Sequence, residues 1–268
     1  MWRWFETWVT EWGGHIVLAS GSLPRFWELE EFVNPPKKAS EVPDLLPTSL
    51  RHELEVAESR RIVSRRKVEP FDCEGLIEWV SQAQGPRLLI LNTVQSAAVV
   101  ADKMRKAEHD VLHISTALAP AHRNAIVKRV QQRLDKKGNE NWTLIATSCV
   151  EAGMDFSFRT GFRESCSTAS LIQVGGRVSR GGEHPDAEVW DFRILDSMFS
   201  QHPGFTISRR VLDRLFDDGL IEKQSPSELA KEAMRREVTL GHEEEARQIH
   251  EAEDEMEYRQ VSELCRVI

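Results

Sequence analysis

The sequence has little of what several functional classes require. Its four cysteines, Cys73, Cys149, Cys166 and Cys265, are scattered through 268 residues and none forms a CxxC pair. Neither a disulfide framework nor a cysteine-rich zinc site is indicated, and reduced thiols in a cytoplasmic protein are the simplest expectation. No apolar run approaches the ~18 residues of a membrane span. The aromatic N-terminus is interrupted by Glu6 and Glu11, so it lacks the continuous apolar stretch of a signal peptide, and no membrane partner is expected. Positive charge is not in excess: 35 Lys and Arg face 43 Asp and Glu, for a formal charge of −8. That excludes a uniformly basic nucleic-acid coat, although not a local basic groove. No GxxxxGK[ST] phosphate loop is present. The histidines lack metal-ligand spacing and the one His-Asp pair, His109-Asp110, stands alone, so no metal site is expected.

What is present is globular. Hydrophobic residues make up 40% of the chain, with eight Trp and eleven Phe, which excludes wholesale disorder. Trp4, Trp8 and Trp12 recur every four residues and predict an aromatic stripe on a short helix, packed on a core or, alternatively, stacked on a ligand. A buried strand is expected at 15–19 and a helical stretch from Leu23-Pro24. Residues 34–48 hold Pro35, Pro36, Pro43 and Pro47 and read as a linker or irregular crossing. The basic segment 59–68 is strand-like. From Asp72 the pattern alternates: helices at 72–84, 95–107, 119–135 and 168–174, and strands at 87–91, 110–114, 142–146, 161–165 and 187–192. Short apolar strands separated by helices predict a parallel sheet covered on both faces, an α/β layer of the RecA-like or Rossmann-like kind. Helical patterns at 207–218, 226–239 and 243–264 predict a smaller helical C-terminal region. The excess acidity lies there: residues 241–257 hold eight acidic residues and one Arg, and outside them 35 acidic residues face 34 basic ones. That run reads as a solvated helix face or a docking surface.

In open parallel sheets, ligands sit beyond the carboxyl ends of the strands. Three expected strands are followed there by Asn92-Thr93, Ser115-Thr116 and Thr147-Ser148. These residue types serve as ordinary N-caps; in register along one edge they also present helix N-termini able to hold phosphates. Two segments are more specific. In Thr147-Ser-Cys-Val-Glu-Ala-Gly-Met-Asp155, Gly153 permits a tight turn and Asp155 supplies a carboxylate. In Ser170-Leu-Ile-Gln173-Val-Gly-Gly176-Arg177-Val-Ser-Arg180, a continued helix would put Gln173, Arg177 and Arg180 on nearly one face. Two guanidinium groups aimed at one point suit a polyphosphate, and Gly175-Gly176 would let a backbone or nucleotide approach closely.

The pattern Gln-x-x-Gly-Arg-x-x-Arg, preceded by Thr-x-x-x-x-x-Gly-x-Asp, resembles the last two signature motifs of superfamily 2 helicases. Leu89-Ile-Leu-Asn-Thr-Val-Gln-Ser-Ala97, Ser115-Thr-Ala-Leu-Ala-Pro-Ala-His-Arg123, Val150-Glu-Ala-Gly-Met-Asp155 and Ser170-Leu-Ile-Gln173 resemble the CRISPR-associated helicase–nuclease of type I interference systems. Ile16-Val-Leu-Ala-Ser-Gly-Ser-Leu-Pro24 is similar to that family's Ser-Ala-Thr region, with Gly21 and Ser22 in place of Ala and Thr. The resemblance covers roughly 15–195.

The resemblance implies residues 1–33 as the remnant of a first RecA-like lobe, 34–58 as a linker, 59–195 as a complete second lobe, and 196–268 as an accessory helical region. It implies an ATP-dependent 3′-to-5′ single-stranded DNA translocase in CRISPR antiviral interference. Arg177 and Arg180 would contact ATP phosphates, Gln173 and Gly176 would orient the helix at the nucleotide, and Gly153 and Asp155 would link that site to the DNA. Asn92, Thr93, Ser115, Thr116, Thr147 and Ser148 would touch the DNA backbone, and Ser20 and Ser22 would couple hydrolysis to unwinding. ATP with magnesium would be shared with a first lobe on another chain or segment, since both the phosphate loop and the family's Asp-Glu-x-His-type motif are absent; the chain alone is not expected to hydrolyse ATP. A CRISPR effector complex is a candidate partner. Two other readings stay open: a non-catalytic docking module for DNA or an effector complex, and a helicase lobe of another DNA-processing system.

Overall fold

The structure is a computed structural model that describes residues 2–38, 40–136, 140–151, 153–199, 203–241, 248–249, 251–253 and 255–264. Its strands are Val63–Arg66 (β1), Arg87–Ile90 (β2), Val111–Ile114 (β3), Thr143–Ala146 (β4), Thr160–Glu164 (β5) and Glu188–Phe192 (β6). The helices are Trp2–Thr10 (α1), Thr48–Arg61 (α2), Cys73–Gln82 (α3), Val94–Lys106 (α4), Pro120–Leu134 (α5), Thr168–Gly175 (α6), Thr206–Asp217 (α7), Pro226–Gly241 (α8) and Tyr258–Leu264 (α9).

The strands form one sheet, ordered β1-β6-β5-β2-β4-β3, with every pair parallel. β2, β4 and β5 are buried at every position, as a parallel sheet covered on both faces requires. Alternate side chains enter opposite cores. Leu88 and Ile90 join Leu144, Val130, Leu171 and Val174 on one face. Leu89 and Leu91 join Leu76, Val80, Val100 and Met104 on the other. Local signals place the helices. Asp72 caps α3 by accepting from the Gly75 N–H at 2.7 Å, and α3 buries Cys73, Leu76, Ile77 and Val80, one helical face. Ser167 caps α6 in the same way from Ser170. α7 and α8 bring Val211, Leu212, Leu215, Leu229 and Ala233 into the core that α6 shares, so these helices are continuous with the α/β layer.

The alternating elements from residue 72 to 192 fall within two residues of expectation. The N-terminal part differs. Residues 15–19 carry no strand: they form no ladder with the six strands of the sheet, and a strand exists only with a ladder partner. The helical stretch from Leu23 is reduced to one 3₁₀ turn, Phe26–Glu28. The fourfold tryptophan stripe does not pack on a core. Trp4, Trp8 and Trp12 are 54%, 46% and 61% exposed, while Trp2 turns inward to stack on Trp27 and meet Phe5 and Phe26 edge-on. A helix, α2, takes up 48–58 of the linker expected at 34–58, and the proline-rich part before it carries no helix or strand among the described residues. The helix ends at Arg61, so only 63–66 of the basic segment is strand. Much of the acidic run 241–257 lies outside the described residues.

Candidate functional site

The strand register decides where the hydroxyl and amide pairs fall. Ile90, Ala146 and Ile114 are aligned across β2, β4 and β3, so Asn92-Thr93, Thr147-Ser148 and Ser115-Thr116 leave from one sheet edge. They differ in what their side chains do. Thr93 caps α4: its Oγ1 accepts the Ser96 N–H at 3.0 Å. Thr147 is buried and leads into a 3₁₀ turn, Ser148–Val150. Ser115 is fully buried, and its hydroxyl has no hydrogen-bond partner among the described residues. Thr116 and Ser148 are exposed. The Ser115-Thr116 pair does not open a helix directly, because a turn intervenes and Ala119 takes the cap position of α5.

The two arginines are not on a helix. α6 stops at Gly175 and Gly176 is its C-cap; Val178 then forms a bridge with Phe158, and Ser179 has a positive φ of 43°. The glycine pair ends the helix, which removes the shared helical face expected of Gln173, Arg177 and Arg180. What comes close to Gly175 is Ile62, whose Cδ1 would stand 2.7 Å from an added Cβ. Arg177 turns inward: its Nε donates to the Val150 carbonyl at 3.2 Å and its Nη2 to the Glu151 carbonyl at 2.9 Å. Burial, with neighbouring Arg180, lowers its pKa. Arg180 points outward and is 49% exposed, pairing with Asp155 at 3.1 Å. Gly153 lies in the left-handed region, φ 74°, which supplies the expected turn. Thus Arg177, Arg180, Gly153 and Asp155 are brought together, while Gln173 is exposed on α6. Ser20 and Ser22 sit in exposed or partly exposed coil, with the Ser22 N–H on the Ser20 hydroxyl at 3.3 Å.

Three residues that motif reasoning missed hold this arrangement. Arg61, at the end of α2, donates to the Gly175 carbonyl at 2.9 Å and to the Val178 carbonyl, capping α6 and bracing the arginine turn. Arg163 and Glu151 form a buried ion pair of 2.8 Å, with side chains 3% and 8% exposed. The available signal was a charge in the middle of the apolar strand Thr-Gly-Phe-Arg-Glu. Beside them, Glu164 accepts the Asn92 N–H at 2.7 Å, and burial raises its carboxyl above the ordinary range. Among the described residues, no group of three or more His, Cys, Asp and Glu could hold a metal ion, and no helix is long and apolar enough to cross a membrane.

Residues 83–183 match the family model of the C-terminal region of the CRISPR-associated nuclease/helicase Cas3. No curated protein gives a significant sequence match. Among solved structures, the fold is similar to T. fusca Cas3 with AMPPNP, at a TM-score of 0.54 and 16% identity over 76% of this chain and 26% of that one. T. fusca Cas3 with ATP gives a TM-score of 0.55 and 15% identity, again over 76% of this chain and 26% of that one. A chain of a CRISPR RNA-guided surveillance complex in a pre-nicking state gives 0.53 and 14% identity over 76% of this chain and 28% of that one. The chain thus spans about a quarter of the length of these structures. The family match lies within the residues whose motifs carry the resemblance, and the solved structures share the RecA-like fold of this chain.

Proposed function

We propose that this chain acts as the second RecA-like lobe of an ATP-dependent single-stranded DNA translocase in CRISPR interference. One observation carries the reading. The stretch that matches the family model, 83–183, is the stretch that holds both the strand-end strip and the arginine turn. In this reading Asn92, Thr93, Thr116 and Ser148 meet the sugar–phosphate backbone, and Ser115 and Thr147 lie beneath them. Neutral donors at strand ends suit a strand that is gripped without being read for sequence. Gly176 ends α6 so that the turn carrying Arg177 and Arg180 faces Val150, Glu151 and Asp155. The Arg180 side chain, half exposed and paired with the 87% exposed Asp155, would exchange that weak surface pair for a phosphate. Gln173 faces solvent on α6, where an opposing lobe would meet it, and Ser20 and Ser22 are assigned to the connection between lobes.

The nucleotide would lie between this lobe and one carrying a phosphate loop, on the same polypeptide or another. No group of three or more His, Cys, Asp and Glu among the described residues could hold a metal ion, and the ion that accompanies ATP is assigned to the phosphate-loop lobe. The setting is the cytoplasm, with a CRISPR effector complex as partner. The assembly of this chain with a phosphate-loop lobe should hydrolyse ATP faster with single-stranded DNA, and Arg177→Ala should lower turnover by about 10³-fold. Unchanged turnover in that variant would sink the assignment.

A second reading, a docking module without catalysis, is favoured by one contact: the Arg177 guanidinium is already engaged by two main-chain carbonyls. Nucleotide-free binding of single-stranded DNA, with no turnover in the reconstituted assembly, would support it.

A further inference from the structure

The strip and the arginine turn are distant in sequence, and one side chain outside both touches the first and reaches the second through a single residue. Arg163 projects from β5, 2% exposed. Its Nε lies 2.7 Å from the Ser170 hydroxyl and 2.8 Å from Glu151 Oε1. Its Nη1 donates to Asn92 Oδ1 at 2.7 Å and to the Glu164 carbonyl at 2.9 Å. Ser170 closes the ring by donating to Glu151 Oε1 at 2.6 Å. Glu151 in turn gives its main-chain carbonyl to Arg177.

The location matters. β2 and β5 are neighbours, yet the helices that follow them cover opposite faces: α4 buries Val100 and Met104 in one core and α6 buries Leu171 and Val174 in the other. Such a change of direction opens a crevice at the strand ends. Here Arg163, Asn92 and Glu151 meet at that point. A buried ion pair is a poor stabiliser beside apolar residues of similar size, so stability alone gives little reason for one on an apolar strand. A planar guanidinium does offer something an apolar chain does not: rigid donors in several fixed directions at once.

We infer that Arg163 is a positioning residue: its guanidinium fixes the Asn92 side chain against the Glu151 segment that holds Arg177, so that the strip and the arginine turn adopt their places together. Its functional consequence rests on the reading proposed above; its structural content does not. Arg163→Lys keeps the charge and loses the fork. The pair Arg163→Met with Glu151→Met replaces the ions by apolar side chains of similar volume, a change that folded proteins tolerate.

Amide hydrogen exchange on the full chain reads the positioning itself. In both variants, protection should fall together in 92–96 and 148–151, while α3 at 73–82 keeps its wild-type rates. Unchanged exchange at the first two segments, or change confined to β5, overturns the inference. In the assembly with a phosphate-loop lobe, an oligo-dT single strand should then stimulate ATP turnover about tenfold less than in wild type. Folded variants that keep the wild-type ratio of stimulated to basal turnover likewise overturn the inference. A wild-type assembly without turnover instead sinks the proposed function, and the exchange result decides the positioning on its own.

Discussion

Asp191 shows how strongly a single position in this sheet is conditioned by burial. It lies on β6, 1% exposed, and burial raises its carboxyl to about 7, with Asp213 adding to the shift and Ser165 and Arg193 opposing it. A carboxyl raised in the folded state contributes stability that is full below its unfolded value, 3.8, and is lost as pH rises through about 7. Between about pH 5 and about pH 8 this group should cost the fold on the order of 3 kcal/mol. Asp191→Asn should remove that dependence, so the difference between wild-type and variant Tm should move in the variant's favour as pH rises. A pH-independent difference would show that Asp191 ionises freely. At the same scale, Arg163 was legible only as an anomaly. A charge in an apolar strand announces a buried partner, yet nothing in the sequence says that the partner is Glu151, 12 positions earlier on another segment.

The seating of α6 on β5 turns on one small residue. A Cβ at Gly161 would stand 2.8 Å from Val178 and 3.1 Å from Val174, so the helix and the arginine turn lie close over the strand. Gly161→Val should destabilise by about 1–3 kcal/mol through overpacking and lower Tm in a thermal melt. Gly21→Ala, where an added Cβ meets nothing within 4 Å, should leave Tm unchanged. Elements of this kind were legible because β2 and β4 are short, largely apolar runs and α3, α4 and α6 each bury one helical face. The end of α6 was harder to read. The spacing of Arg177 and Arg180 fits a helix, but Gly175-Gly176 and the bridge of Val178 to Phe158 prevail over it. Residues 15–19 are apolar enough for a strand, yet a strand depends on a neighbour that no local pattern supplies. The strip was legible as a row of strand ends; its division into buried and exposed hydroxyls was not, since that depends on packing between segments far apart in sequence.

At the scale of the molecule, the proposed DNA contacts are made by four residues that carry no charge, on a body where acidic and basic residues nearly balance outside 241–257. Few counterions should therefore be released on binding. Each phosphate neutralised on a single strand contributes about −0.7 to the slope of log K against log salt, so the slope for oligo-dT should be no steeper than about −2. Fluorescence anisotropy across a salt series measures it, and a slope near −5 or steeper would place the binding surface on arginines and lysines elsewhere. The carbonyl contacts of Arg177 have a kinetic corollary. Any phosphate that draws its guanidinium away must displace the carbonyls of Val150 and Glu151, and those oxygens then need new donors. On the proposed reading, capture of a phosphate there would be an exchange of ligands rather than a net addition, which would favour quick release and tie each capture to the position of Val150 and Glu151.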